Sequence, residues 1–142
     1  ETLQEHTGQV SFPGGSVDAH DHSREETALR EAYEEIGLIS DDVVLMGRLQ
    51  EMQTVSNYLI TPIVGIIRWP YNFNLQPEEV SKTFTIPLEW LADEGNFEKR
   101  IYTANGQIFK GVVYYSSYSG EIVWGITAKI TMDLLRTLQL TS

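Results

Sequence analysis

Three carboxylates, Glu31, Glu34 and Glu35, lie within the run Arg30-Glu-Ala-Tyr-Glu-Glu-Ile-Gly-Leu38. On a helix advancing about 100° per residue they share roughly a third of the circumference, while Leu29, Ala32, Tyr33 and Ile36 fall on the other side. Donors that are oxygens throughout suit hard divalent cations, magnesium or manganese. A solvated acidic face is the plain alternative. Against it, like charges three or four residues apart cost about a few tenths of a kcal/mol per pair in a solvated helix, and no lysine at a neighbouring turn relieves them. Arg30 is the one base inside the cluster.

The elements that must carry these residues can be read around them. Ser23 followed by Glu26 forms a capping-box signature, and Gly37 is the residue best able to take the left-handed conformation that closes a helix, so a helix is predicted over 24–36. Upstream, Gln9-Val-Ser-Phe-Pro-Gly-Gly15 reads as a short strand entering a glycine turn, and residues 16–22 return the chain to the helix. Gly14 and Gly15 permit close approach of backbone to a ligand or ion, which would let the Gly15 carbonyl join the helix carboxylates.

With these residues in view, the segment resembles the Nudix box: a glycine, a five-residue spacer, an acid, a seven-residue spacer, then Arg-Glu-apolar-x-Glu-Glu-x-Gly-apolar. Residues 30–38 fit the second half, with Ala32 at the apolar position. The first half departs from it, because five residues on from Gly15 stands Asp21 instead of glutamate and the next spacer is one residue too long. The longer stretch from His6 through Gly15 and Asp21 to Thr27-Ala-Leu-Arg30 is similar to the coenzyme A diphosphatase branch of the Nudix hydrolases. Gly47, Thr54, residues 62–65, 77–88 and Trp124-Gly-Ile-Thr-Ala128 agree with that branch. The resemblance covers nearly the whole chain and implies one α/β Nudix domain over 1–142, an α/β/α sandwich with a mixed sheet. It also implies that an N-terminal strand precedes Glu1.

What the resemblance implies about chemistry is hydrolysis of a diphosphate bond with divalent metal, magnesium or manganese. Glu34 and Glu35 would be ligands, Glu31 a further ligand or the group that positions water, and Arg30 would orient the glutamates. A carboxylate from a distant loop often joins such sites, and Glu79, or its neighbour Glu78, is the candidate. Coenzyme A or its thioesters would give 4′-phosphopantetheine and adenosine 3′,5′-bisphosphate. ADP-ribose, a nucleotide sugar or a dinucleoside polyphosphate is the alternative substrate, and a nucleotide-sensing module without turnover the alternative class. His6, Gln9, Gly14 and Tyr115 are candidate substrate contacts.

Other residues carry weaker signals. Asp21 could pair with Arg30 or only shape its loop. His20 and His22 have a spacing seen in zinc sites, but no further histidine or cysteine stands near enough to complete a tetrahedral set. Tyr114, Tyr115, Tyr118 and Trp124 could stack on a nucleobase, although strand aromatics more often fill a core. Arg48, Arg68, Lys82 and Lys110 are bases available to a 3′-phosphate.

Composition bounds the function. The 142 residues are 42% hydrophobic, an ordinary globular content for one domain. A formal charge of −10 argues against nucleic acid or anionic membrane as partners. No cysteine is present, which removes thiolate catalysis and cysteine-ligated zinc. No apolar run of about twenty residues and no signal peptide stand in the sequence, so a cytoplasmic location is expected. Strands are predicted over 42–51 and 57–69, the second nearly continuous in apolar residues and so buried on both faces. A loop over 71–77, a helical turn over 87–91, strands over 98–103 and 107–115 joined by the hairpin signal Asn105-Gly106, and a closing helix over 125–140 follow.

Overall fold

The computed structural model describes residues 9–141. They form two compact units: Phe12–Glu51 with Thr61–Phe84, and residues 9–11, 52–60 and 85–141.

The first of these holds the acidic helix. Helix α1 spans Arg24–Ile36, as predicted, with the Ser23 hydroxyl accepting the Glu26 N–H at its start. At its end Gly37 stands at φ 69°, and the amides of Gly37 and Leu38 bond back to the carbonyls of Tyr33 and Ala32. This Schellman-type closure needs a residue that tolerates the left-handed region. Thr27, Ala32 and Ile36 are buried, whereas Tyr33, expected on the packed side, is 61% exposed. A 3-10 turn, Ser40–Asp42, leads into strand β1, Val44–Arg48.

Strand β1 pairs antiparallel with β4, Ile63–Ile66, through a bulge between Leu45 and Gly47. The single long strand expected over 57–69 is broken. Strands β2, Met52–Gln53, and β3, Leu59–Ile60, pair with each other and belong to the other unit. Pro62 has no N–H to donate, which interrupts the run between β3 and β4. Its expected burial on both faces is also absent: Leu59 and Ile66 are more than half exposed.

In the other unit β5, Phe97–Ala104, and β6, Gln107–Tyr115, form the predicted hairpin. Asn105 and Gly106 both have positive φ, 52° and 76°, the requirement of a type I′ turn. A short helix α2, Leu88–Ala92, and a longer helix α3, Gly125–Thr137, pack on β6 around Leu91, Val113, Tyr115, Val123, Ala128, Met132 and Leu135. Ala128 and Leu135 are wholly buried.

The α/β class holds. Among the described residues the strands pair only antiparallel, in three two-stranded ladders, in place of the expected mixed sheet. Residues 9–15, expected to begin as a strand, lie in no ladder. No helix among the described residues is long and apolar enough to cross a membrane.

Candidate metal centre

Arg30 organises the acidic face. Its Nε and Nη2 donate to both oxygens of Asp21 at 3.0–3.3 Å, and Nη2 also donates to the Ser16 carbonyl at 3.0 Å. Nη1 donates to Glu31 Oε2 at 3.3 Å and Glu34 Oε1 at 3.2 Å. One planar guanidinium therefore ties the entering loop to two carboxylates of the helix, a task that its rigid fork of donors suits.

Asp21 answers the question that its irregular spacing raised. It pairs with Arg30 and it shapes its loop, accepting the Thr27 hydroxyl at 2.9 Å and the Asp18 N–H at 2.8 Å. Its side chain is only 6% exposed. The hydrogen bonds from Arg30, with those from Asp18 and Thr27, hold this carboxyl well below the usual range, and Asp21 in turn raises the Arg30 pKa. In sequence Thr27 stands only as part of the stretch similar to the coenzyme A diphosphatase branch; its burial and its bond to Asp21 come from the structure.

Glu35 lies in a different setting. Its pKa is pushed up to about 7, first by burial and next by the neighbouring Glu31 charge, with Glu79 adding to the effect. A hydrogen bond with the Gly14 backbone acts in the opposite sense. Gly15 faces Glu31 so closely that a Cβ there would meet Oε2 at 2.2 Å. The glycine turn thus does what its composition suggested and brings bare backbone against the helix carboxylates.

Among the described residues no three acidic or histidine side chains form a ready-made ion cage. What comes together is the pair Glu31 and Glu35, with Glu79 near enough to act on Glu35. Glu34 is turned to Arg30 and its side chain is 53% exposed, because the guanidinium is the favourable partner among like charges. Two adjacent carboxylates, one of them partly buried at the cost of its ionisation, fit a hard cation, which would relieve their repulsion. Glu31 and Glu35 are the adjacent pair that such an ion would join, with the Gly15 backbone against Glu31 and Glu79 acting on Glu35 as a like charge.

The loop that carries Glu79 is tied to the helix end by main-chain bonds that no periodicity reveals. The Gln76 N–H donates to the Glu35 carbonyl at 2.8 Å and the Asn74 N–H to the Ile36 carbonyl at 2.9 Å, satisfying acceptors that the helix end leaves unpaired. Glu78 in the same turn is exposed.

The remaining candidates separate by unit. Tyr115 is a correction: it is 3% exposed, its hydroxyl donates to the Leu91 carbonyl at 2.7 Å, and burial pushes its pKa to about 12. A ring enclosed on all sides offers no face to a substrate. Tyr118 meets Trp90 edge-on, and Tyr114 stacks on Trp124 at 5.0 Å and has the Arg100 guanidinium 4.7 Å from its ring centroid. Arg48, one of the available bases, donates two hydrogen bonds to Glu25 at 2.7 and 2.9 Å. Gln9 and Gly14 are exposed, as are Arg68, Lys82 and Lys110, and His20 and His22. His6 lies outside the described residues.

A family model described as NUDIX domain matches residues 2–105, which include the whole of this acidic face. The chain belongs to the Nudix hydrolases. It is 36% identical over 138 residues to a protein named Uncharacterized Nudix hydrolase NudL from Photorhabdus laumondii, covering 97% of this chain and 73% of that one. Proteins of the same name from Pectobacterium atrosepticum (39% over 134 residues; 93% and 68% covered) and Yersinia pestis (36% over 138; 97% and 68%) are also similar. Nudix enzymes act on small nucleotide-derived substrates and in general use divalent metal ions, which agrees with the oxygen-only donors of α1.

Proposed function

We propose that this Nudix hydrolase cleaves the diphosphate bond of coenzyme A or its thioesters, with magnesium or manganese, to give 4′-phosphopantetheine and adenosine 3′,5′-bisphosphate. The observation that carries the metal-dependent part is the Glu31–Glu35 pair, partly buried and set against the glycine turn. The choice of coenzyme A rests on the resemblance of residues 6–38 and the later segments to that branch.

A divalent cation at this place would neutralise phosphate oxygens and lower the pKa of a water for attack on phosphorus. The chain's own residues do the positioning. Asp21 fixes Arg30 in one orientation, and Arg30 holds Glu31 and Glu34 in register with the loop through the Ser16 carbonyl. The Gly14 backbone holds Glu35 from the other side. Glu31 is the candidate to position water, since it faces both Arg30 and Glu35. Gln9 and Gly14 stay candidates for substrate contact, and both units are read as parts of one Nudix domain in the cytoplasm.

A panel of coenzyme A, ADP-ribose and diadenosine polyphosphates with magnesium or manganese tests the reading. Cleavage of coenzyme A, lost in Glu35→Gln, is expected. Cleavage of ADP-ribose or a dinucleotide instead would keep the metal reading and discard the substrate.

A further inference from the structure

The loop over residues 71–80 is fastened at two places, to the end of the helix that carries the acids and to the segment that follows that helix. At its far end the Gln76 and Asn74 amides bond to the Glu35 and Ile36 carbonyls. At its near end the Tyr71 hydroxyl donates to Asp42 Oδ2 at 2.7 Å and accepts the Ile39 N–H at 3.1 Å. Ile39 and Asp42 belong to the segment that follows Gly37, so Tyr71 grips the chain just beyond the helix end. Between the two attachments the Tyr71 and Phe73 rings are 5.1 Å apart, and Asn74 lies so close to Gly37 that a Cβ there would meet Asn74 Cβ at 2.7 Å. Beyond Gln76 the chain turns at once, with the Glu79 and Val80 amides donating to the Gln76 carbonyl at 3.0 and 2.8 Å. The position of Glu79 is therefore set by how the loop is held, not by packing of its own exposed side chain.

We propose that Tyr71 and Asp42 are positioning residues: their hydrogen bond fixes the loop in the register that presents Glu79 to Glu35. The hydroxyl of Tyr71 acts at a distance, through Glu79, and touches neither metal nor substrate. This inference rests on the metal-dependent reading of α1.

Direct Mn2+ binding, followed by the loss of the free-ion paramagnetic resonance signal, tests it without any need for turnover. Tyr71→Phe keeps the ring on Phe73 and is expected to weaken Mn2+ roughly threefold to tenfold, the size of one net hydrogen bond. Glu79→Gln is expected to weaken it at least as much, and the double variant no more than Glu79→Gln alone, since both changes remove one interaction. Asp42→Asn, which keeps an acceptor, is expected to bind as the parent does, and Asp42→Ala as Tyr71→Phe does. Unchanged Mn2+ affinity in Tyr71→Phe, or losses that add in the double variant, would overturn the clasp. Glu35→Gln separates the two levels: if it weakens Mn2+ while Tyr71→Phe does not, only the clasp fails. If Glu35→Gln binds Mn2+ as the parent does, the reading of α1 fails and the clasp with it.

Discussion

Arg30 and Glu35 mark the two conditions that a carboxylate meets on this helix. Around Arg30 the acids are neutralised by a fixed cation of the chain; at Glu35 burial and two like charges oppose ionisation. Glu35→Gln removes the repulsive charge at nearly constant volume. It should lower kcat by about two orders of magnitude or more, the scale at which a positioned side chain acts. In EDTA at pH 8 the same variant should melt at a higher temperature than the parent; a lower one would place Glu35 in a stabilising role. Glu25 shows the opposite sign. Its hydrogen bonds from Arg48 depress its pKa from 4.5 to about 2, so the unfolded chain binds this proton more readily than the folded one. The contribution is complete above pH 4.5 and lost as pH falls through about 2. Arg48→Met should therefore melt below the parent at pH 7, and the difference between the two should narrow between pH 4.5 and 2 in a thermal series.

At the scale of elements, α1 works because both ends are closed by local chemistry and its C-terminal carbonyls are taken by the 71–80 loop. Gly37 is the position where both demands meet: φ is 69° and Asn74 leaves no room for a Cβ. Gly37→Ala should cost at least about 1–2 kcal/mol in denaturant unfolding, the left-handed penalty alone, and should also weaken Mn2+ by shifting the loop. The helix itself was legible to the residue, since Ser23, Glu26 and Gly37 are short-range signals whose physics is local. The Asn105-Gly106 hairpin was legible for the same reason. The loop's bonds to Glu35 and Ile36 were not, because main-chain donors leave no trace in side-chain type. Apolar continuity misled over 57–69, where Pro62 splits the run, whereas Tyr115 takes the core role that strand aromatics more often have. Asp21 stood out in sequence as an irregularity, and only its bonds to Arg30, Thr27 and Asp18 show what it does.

At the scale of the whole molecule the formal charge of −10 sets a repulsive field for a phosphate-bearing substrate. With the divalent cation saturating, raising sodium chloride from about 20 to 150 mM shortens the screening length to roughly 8 Å. kcat/KM for an anionic substrate should then rise; a fall would reveal a local basic patch that outweighs the net charge. In the proposed function α1 of this Nudix hydrolase holds a divalent cation that serves cleavage of the diphosphate of coenzyme A. The most direct measurement of that function is phosphorus NMR of coenzyme A incubated with the parent and with Glu35→Gln, each in magnesium and in EDTA. The parent with magnesium should give 4′-phosphopantetheine and adenosine 3′,5′-bisphosphate, and the other three should leave coenzyme A intact. Cleavage that persists in EDTA or in Glu35→Gln would contradict the proposed function, as would coenzyme A left intact by the parent with magnesium.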